Sequence, residues 1–262
     1  MSRVLITGAA SGLGAALTTA FRARGDEVLA TDLPGRDPST SSGGPAIDLA
    51  LDITSSDDWE AARAHVEQTW GGLDILVNNA GVAGGGRIDV ADLDEWQWIF
   101  DINLFGMVRG CRTFTPMLKA QRSGRIVNVA SLAGLVHPAG MASYNAVKAA
   151  VVALSETLGH ELAAYGVGCT VVCPGYFRTN LMESLQGRDA ALATVMRHLV
   201  EGSPVSADDV AAAVLAGIDE GAEIVLPDEG AQLAYGLKTG DRAGYDAVMR
   251  AQAVKLEEAA GE

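Results

Sequence analysis

The sequence predicts an α/β fold, built as a doubly wound parallel sheet with helices on both faces. Six short runs rich in β-branched residues alternate with longer segments of helical pattern. Such alternation is typical of parallel strands joined by crossover helices. The runs are almost continuously apolar, as strands are when both sheet faces are covered. In chain order they read RVLITG, EVLATD, LDILVNNAG, GRIVNVAS, GCTVVCPG and AEIVLP.

The segments between these runs predict the helices and the domain organisation. The polar, low-complexity stretch DPSTSSGGP at 37–45 predicts a surface connection. The strand pattern ends after Pro227, and a polar tail from about 229 to 262 is predicted to be helical. We find no internal repeat and no linker, so one domain is expected over 1–262. The helical segments lie at about 12–24, 55–70, 94–121, 142–165 and 207–220.

Composition excludes some classes of function. The chain has 262 residues, 48% of them hydrophobic, which is enough for a substantial core. Its 19 Lys and Arg against 33 Asp and Glu give a net charge of −14. This charge repels nucleic-acid backbones and anionic membranes, so neither is expected as a partner. No signal peptide and no membrane-length apolar run is found, and we expect a cytoplasmic protein.

The three cysteines, Cys111, Cys169 and Cys173, do not predict a disulfide framework. If GCTVVCPG is a strand, Cys169 and Cys173 lie about 13 Å apart. A disulfide requires Cα atoms within about 7 Å of each other. Three reduced, buried structural thiols are therefore expected, and no metal site.

A glycine-rich loop follows the first strand and precedes the first helix. Its glycines, at positions 8, 12 and 14, would let backbone N–H groups and the helix N-terminus approach a pyrophosphate. The spacing is TGxxxGxG rather than the usual GxGxxG of dinucleotide-binding proteins. Such a loop is weak evidence alone, but an acid at the end of the next strand strengthens it.

That acid is Asp32, which points to the choice of cofactor. A carboxylate here can accept both hydroxyls of an adenosine ribose and would repel a 2′-phosphate. The loop has no basic residue, and Leu33 follows the acid. NAD is therefore expected as cofactor and NADP is less favoured. Arg36 argues the other way, because it lies close enough in sequence to bind the 2′-phosphate of NADP.

Several motifs together resemble the short-chain dehydrogenase/reductase family over roughly residues 2–227. They are TGAASGLG at 7–14, NNAG at 78–81, Ser131, YNAVK at 144–148 and PGYFRT at 174–179. The serine precedes the tyrosine by thirteen residues. The resemblance implies a single Rossmann-type domain whose mostly parallel seven-stranded sheet has the order 3-2-1-4-5-6-7. It also implies an NAD(P)-dependent oxidoreductase.

The resemblance assigns four catalytic roles. Tyr144 would be the general acid/base, and Lys148 would lower its pKa while holding the nicotinamide ribose. Ser131 would position and polarise the substrate oxygen. Asn103 would keep a water molecule in the proton relay. Alone, a Tyr and Lys at i and i+4 would more often be ordinary helix neighbours.

The chemistry itself favours this arrangement. A free tyrosine, with a pKa of about 10, is a poor base near neutrality. Lowering that pKa by about 2 to 3 requires roughly 3–4 kcal/mol of phenolate stabilisation. A lysine ammonium one turn away, together with an oxidised nicotinamide ring, can supply it.

The resemblance also implies a cofactor site. Asp52 and Ile53 would contact the adenine, and Thr179 would hold the nicotinamide carboxamide. The full set is Gly8, Ser11, Gly12, Leu13, Gly14, Asp32, Leu33, Asp52, Ile53, Asn79, Ala80, Gly81, Tyr144, Lys148, Pro174, Gly175, Phe177 and Thr179.

Two variable segments, 132–143 and 176–202, set the substrate in this family. Their apolar residues suggest a moderately hydrophobic pocket, although helices that pack on the body would look the same. The candidate substrate contacts are His137, Met141, Tyr176 and Met182.

The resemblance implies a homodimer through the helices at 94–121 and 142–165, and a tetramer is also compatible. The stretch EIVLPDEGAQ departs from the usual tetramer-forming end of the family. An additional helix near 240–258 would cover the substrate mouth, extend the dimer or lie on the surface.

The expected function is interconversion of a small secondary alcohol and its ketone by an NAD-dependent dehydrogenase/reductase. Two alternatives stay open. One is an NADPH-dependent 3-ketoacyl thioester reductase. The other is a catalytically silent, NAD-binding regulator.

Overall fold

Seven strands form one sheet in the computed structural model, which describes residues 1–36 and 45–261. The sheet order is β3-β2-β1-β4-β5-β6-β7, and each of these strand pairings is parallel. The predicted fold class and strand order are confirmed. The loop predicted at 37–45 lies, except for Pro45, outside the described residues. The strands are β1 Arg3–Thr7, β2 Glu27–Asp32, β3 Leu49–Ala50, β4 Ile75–Asn78, β5 Gly124–Val129, β6 Val167–Val172 and β7 Ile224–Val225.

Six of these strands coincide with the six apolar runs, and β3 does not. This strand is only two residues long and carries no β-branched run. Its register is set by the end of β2, where Asp32 pairs with Ala50 and the next amide, that of Leu51, donates to the Asp32 carbonyl at 2.8 Å.

The helices follow the predicted segments, with additions. A π-helical turn at Asp101–Phe105 joins α3 to α4, so the predicted 94–121 segment is helical throughout but not uniform. The predicted helical tail consists of α9 and α10, whereas α5 and α7 were not predicted. The helices are α1 Gly12–Ala23, α2 Ser56–Trp70, α3 Leu93–Phe100, α4 Gly106–Gln121, α5 Ala133–Val136, α6 Ala142–Leu162, α7 Ala190–Glu201, α8 Ala207–Glu220, α9 Glu229–Gly240 and α10 Arg242–Gly261.

The core consists of two layers separated by the sheet. Successive residues of β1 alternate between them: Val4 and Ile6 pack in the cluster with α1 and α8, and Leu5 packs in the cluster with α2 and α4. Side chains of a strand alternate between faces, so a strand buried on both must be apolar at every position. This burial explains the continuous apolar runs in the sequence.

The three cysteines are free and buried. Burial raises the pKa of each thiol to about 12. Within the described residues, no helix has the length and apolar character needed to cross a membrane.

The short helix α5 and the long helix α6 approach each other closely at Gly134. A Cβ on this residue would lie 2.6 Å from the carbonyl oxygen of Lys148 in α6. Because Ser131 precedes α5, this contact fixes the loop that carries the serine against the helix that carries Tyr144 and Lys148.

We predict that Gly134→Ala lowers stability by about 1–3 kcal/mol, because the methyl group must push α5 away from backbone atoms of α6. Gly236→Ala is the matched control, since a Cβ at this helical glycine of α9 meets nothing within 4 Å. The control should be neutral or stabilising by about 0.5–1 kcal/mol. Urea unfolding midpoints of both variants check this, and equal midpoints would contradict the tight α5–α6 contact.

Candidate active site

A cavity of about 1150 Å³ opens at the carboxyl edge of the sheet. The carboxyl ends of parallel strands meet at one edge, which is where open α/β sheets bind ligands. Residues at or just after the ends of β1, β2, β4, β5 and β6 therefore meet there, although they are far apart in sequence. They include Gly8, Asp32, Asn79, Ser131 and Pro174.

The glycine loop after β1 folds so tightly that its glycine positions have no room for a side chain. Gly8 has φ +69°, a left-handed conformation that favours glycine. A Cβ on Gly14 would lie 2.0 Å from the carbonyl oxygen of Gly8, so only glycine fits at the start of α1. The result is a loop that exposes its backbone at a helix N-terminus, which suits a pyrophosphate. Gly14 itself lies behind this exposed backbone and does not line the cavity.

Asp32 lies at the end of β2, and its carboxylate is held by backbone amides. Its Oδ2 accepts from the Ala10 N–H at 2.9 Å, and its Oδ1 accepts from the Leu33 N–H at 2.8 Å. A carboxylate offers about four acceptor positions, so ligand hydroxyls can still bind it. The Nε of Arg36 lies 3.8 Å from Oδ1 and lines the same cavity. The cofactor end thus carries both an acid and a cation.

Asn79 joins the loop after β4 to β1. Its Nδ2 donates to the Thr7 carbonyl oxygen at 2.8 Å, and its backbone N–H donates to the Thr7 Oγ1 at 3.0 Å. The Ala80 N–H donates to the same hydroxyl at 3.0 Å. These bonds hold the NNAG segment beside the glycine loop, and Asn79, Ala80 and Gly81 line the cavity.

Asn103 lies in the π-helical turn and is fully buried. Its Oδ1 accepts from the Val82 N–H at 2.8 Å, and its Nδ2 donates to the Val82 carbonyl oxygen at 3.0 Å. Its amide is thus paired with backbone, and the residue does not line the cavity. π-Helical turns often occur at functional sites, and here the turn places the asparagine behind Gly81, where a Cβ would lie 2.8 Å from Oδ1.

Ser131, Tyr144 and Lys148 converge on the wall of the cavity. Tyr144 and Lys148, on α6, are only 7% and 5% exposed. The Lys148 Nζ donates to the Val129 carbonyl oxygen at 3.0 Å and lies 5.8 Å from the centre of the Tyr144 ring. The site thus combines a buried phenol, a buried amine and a hydroxyl.

Burial controls the ionisation of this pair. Burial raises the pKa of Tyr144 to about 12, while a hydrogen bond with Ser131 acts in the opposite direction. Burial also lowers the pKa of Lys148 to about 8. The raised pKa of Tyr144 is opposite in direction to the lowered pKa expected with an oxidised nicotinamide beside it, because desolvation outweighs the favourable contacts that the protein alone supplies.

Three of the four predicted substrate contacts line the cavity: Met141, Tyr176 and Met182. His137 is not among the lining residues. It adopts a left-handed conformation with φ 58°, its Nε2 lies 3.1 Å from the Gly134 carbonyl oxygen, and its Nδ1 lies 2.7 Å from the Lys238 Nζ. The ring therefore joins α5 to α9 instead of facing a substrate.

The remaining cofactor candidates line the cavity as a group. They are Ser11, Gly12, Leu13, Leu33, Asp52, Ile53, Pro174, Gly175, Phe177 and Thr179. A residue not anticipated from the sequence supports this end: Asp228, at the start of α9, accepts from the Gly175 N–H at 3.0 Å and from the Ala231 N–H at 2.7 Å. The C-terminal tail is thereby hydrogen-bonded to the segment after β6 that contains the cofactor candidates Pro174, Gly175 and Phe177.

Helices α7 and α10 also supply cavity walls. The first lies within the variable segment 176–202, and the second contains the tail helix for which three positions were open. Leu192 and Met196 come from α7. Tyr245, Met249, Gln252 and Leu256 come from α10, with spacings of four, three and four residues. That spacing is a helical stripe, so one face was readable in the sequence, but what it covers was not. Among residues 1–36 and 45–261, no cluster of three or more His, Cys, Asp or Glu is arranged to hold a metal ion.

Comparison with known proteins identifies the family. The family profile described as short chain dehydrogenase matches residues 2–190. The chain belongs to the short-chain dehydrogenase/reductase family. The resemblance seen in the sequence is thereby confirmed. Like the family, the chain is an oxidoreductase that acts on CH–OH groups with a nicotinamide cofactor.

Relatives within the family differ in substrate and cofactor. The 2-(R)-hydroxypropyl-CoM dehydrogenase of Xanthobacter autotrophicus is 33% identical over 245 residues, which cover 86% of this chain and 97% of the relative. A 3-oxoacyl-(acyl-carrier-protein) reductase of Vibrio cholerae is 33% identical over 196 residues, covering 73% of this chain and 80% of the relative.

Solved structures of the family show the same fold with either cofactor. A Burkholderia phymatum member in complex with NAD has a TM-score of 0.82 at 29% identity, covering 92% of this chain and 93% of that one. A Burkholderia cenocepacia member in complex with NADP has a TM-score of 0.77 at 26% identity, covering 95% and 97%.

The His137 contact predicts a pH dependence of stability. Burial and the nearby Lys238 lower the pKa of His137, so the folded protein favours the neutral ring. Its contribution to stability is present above the ordinary histidine pKa of about 6.5 and is lost as pH falls towards the folded value. His137→Asn, which tolerates the left-handed backbone, should therefore lose less stability than wild type between pH 7 and 5.

Urea unfolding at a series of pH values measures this difference. His160→Asn, at an exposed position on α6, is the control and should behave as wild type. An identical pH dependence in wild type and His137→Asn would contradict the proposed linkage.

Proposed function

We propose that this enzyme is an NAD-dependent dehydrogenase/reductase that interconverts a secondary alcohol and its ketone, with Tyr144 as general acid/base. The observation that carries the proposal is the convergence of Ser131, Tyr144 and Lys148 in one cavity that also contains the glycine loop and Asp32. A cavity with a dinucleotide cradle at one end and buried titratable groups in its wall is suited to hydride and proton transfer.

The buried side chains divide the work. In the direction of reduction, the substrate oxygen must receive a proton as hydride arrives at carbon, and a tyrosine whose pKa is raised holds that proton ready. The Ser131 hydroxyl orients the substrate oxygen without competing for charge. In the direction of oxidation Tyr144 must accept the proton, so the site must lower its pKa when the cofactor is oxidised.

Lys148 and the cofactor together would provide that change. When bound, the oxidised nicotinamide accepts hydride and brings a positive charge next to the site. The Lys148 amine, already held by the Val129 carbonyl, would contact the ribose and support the phenolate. Asn103 would keep a water molecule in the proton relay, and its side-chain amide holds the backbone at Val82.

The cofactor-binding residues support NAD over NADP. The backbone cradle from Gly8 to Leu13 would bind the pyrophosphate, and Asp52 and Ile53 would flank the adenine. Asp32 would accept the ribose hydroxyls, and its charge opposes a 2′-phosphate. Thr179, whose Oγ1 would lie 2.6 Å from a Cβ on Gly12, closes the other side of the cradle.

One alternative has specific support. The 3-oxoacyl-(acyl-carrier-protein) reductases among the relatives, with Arg36 beside Asp32, favour an NADPH-dependent 3-ketoacyl thioester reductase. The net charge of −14 argues against an acidic carrier protein as partner. A silent NAD-binding regulator is less favoured, because none of the four catalytic residues is missing.

We further propose that residues 1–262 act as one domain and form a homodimer through the helices at 94–121 and 142–165. The tail contributes to the same cavity as the sheet, which supports a single domain. Phe105, in the first of these helical segments, is 50% exposed, which supports an interface there. Sedimentation velocity of wild type and Phe105→Glu distinguishes a dimer from a monomer.

Tyr144→Phe should lower kcat by about 10²–10⁴-fold with a panel of secondary alcohols or ketones, because the proton donor is lost while the ring packing is kept. Cofactor affinity should change little. Tyr165→Phe, whose ring contacts Lys119 on α4, is the control and should keep full activity. Turnover by Tyr144→Phe close to that of wild type would remove Tyr144 from the mechanism.

Asp32→Asn should shift cofactor preference towards NADP by about tenfold or more, because it removes the charge that opposes a 2′-phosphate. Its single carbonyl oxygen can still accept from one of the two backbone N–H groups, those of Ala10 and Leu33, that bind the carboxylate. The measurement is the ratio of kcat/KM values with NAD and NADP. A wild-type enzyme that prefers NADP, or a ratio unchanged in the variant, would favour the thioester-reductase alternative and a cofactor-binding role for Arg36.

A further inference from the structure

The tail helix α10 presents one face to the substrate end of the cavity and the other to solvent. Met249 and Leu256 line the cavity. Val248 and Val254, on the same helix, are 46% and 58% exposed. One face of the helix thus forms part of the cavity wall. Val248 and Val254 are apolar residues on its solvent-exposed face and can serve as controls.

The inner face of α10 is anchored on the segment between Ser131 and Tyr144. The Tyr245 Oη donates to the Val136 carbonyl oxygen at 2.6 Å. Leu256 lies against Gly140, where a Cβ would come within 2.4 Å of its Cδ2. It also belongs to the cluster that contains Leu192 and Met196 of α7. The two helices therefore meet over the substrate end.

Arg87 bonds to both of these helices. Its Nε lies 2.9 Å from the Asp189 Oδ2, and its Nη1 lies 2.9 Å from the Glu257 Oε2. Asp189 is the N-cap of α7, where its Oδ1 accepts from the Leu192 N–H at 3.2 Å. The side chain of Asp189 is fully buried, and that of Glu257 is largely exposed. One guanidinium therefore links the start of α7 to the last turns of α10.

The walls around this end are mostly apolar. Met141, Leu192, Met196 and Leu256 form one apolar cluster with Tyr144. Met249 lines the same cavity from α10. An apolar substrate body would be desolvated against these side chains. Gln252 and Lys255 of α10 also line the cavity and could hydrogen-bond a polar group of the substrate.

We propose that α10 is a specificity-determining wall and that Arg87 is the positioning residue that holds α7 and α10 together over the substrate. The substrate class is then an alcohol or ketone with an apolar body that packs against α10, Met249 included. This inference rests on the proposed function, since it concerns the same cavity.

The wall is tested with methyl ketones of increasing chain length. Met249→Ala should move the preferred length to longer ketones and raise KM for the shortest ones by about tenfold, because a pocket discriminates by how well it fills. Met249→Trp should do the reverse and exclude longer ketones. The exposed Val248→Ala is the control and should keep the wild-type profile, and KM for the cofactor should not change in any variant.

Identical chain-length profiles in Met249→Ala, Met249→Trp and wild type would overturn the wall. If wild type turns over no alcohol or ketone with either cofactor, the proposed function fails separately. The role of α10 in substrate selection is then tested by calorimetry, which measures binding of the same ketones to the cofactor-loaded protein. Ketone binding that Met249→Trp weakens and Val248→Ala preserves would support the wall, and binding that neither variant alters would contradict it.

The positioning role of Arg87 is tested by Arg87→Met, which removes both ion pairs, and by Arg87→Lys. Arg87→Met should raise the ketone KM by about tenfold with a smaller change in kcat, and Arg87→Lys should recover part of the loss. Arg188→Met removes a neighbouring ion pair with Asp92 and should leave KM unchanged. A lower melting temperature for Arg87→Met with an unchanged KM would reduce Arg87 to a structural role.

Discussion

Burial of Tyr144 and Lys148 beside the sheet edge is the constraint on which the site depends. Both side chains are almost fully buried, and both therefore resist their charged forms. Desolvation disfavours a phenolate and an ammonium alike. Tyr144 therefore keeps its proton until a positive charge, such as that of an oxidised nicotinamide, is close by. This behaviour suits a reaction in which a proton and a hydride are transferred together.

The fold brings these groups together through a small number of close backbone approaches. Gly14 fits against Gly8 at the glycine loop, and Gly134 fits against the backbone of α6. The parallel strands place their carboxyl ends at the same edge, so short loops suffice to assemble the cavity. The tail adds a second layer, since Asp228 bonds to the Gly175 amide and α10 covers the substrate end.

The sequence predicted the sheet well because strands buried on both faces require continuous apolar runs. The two-residue β3 escaped because Leu49 and Ala50 depend on pairing with β2 rather than on their own pattern. Residues at or just after the ends of strands, such as Asp32 and Ser131, could be assigned to the carboxyl edge of the sheet from the chain order alone. Fold and family were therefore readable from local pattern and motif.

Other features required tertiary structure. His137 was assigned to the substrate because it lies in the right segment, but its left-handed backbone and the Lys238 contact direct it to α9. The ion pair of Arg87 with Glu257 joins residues 170 positions apart, which no local spacing reveals. The direction of the Tyr144 pKa depends on how completely the ring is buried, and the motif carries no such information.

The ionisation of Tyr144 tests the central claim most directly. Tyrosine labelled with ¹³C at the ring carbon bearing the hydroxyl reports the phenol by NMR, and Tyr144→Phe assigns its signal. Without cofactor the phenol should titrate well above pH 10, towards the value of about 12 that its burial produces. With oxidised cofactor bound its pKa should fall by about 2 or more, and Lys148→Met should reduce that fall. A Tyr144 signal whose pKa is the same with and without oxidised cofactor would contradict the assigned role.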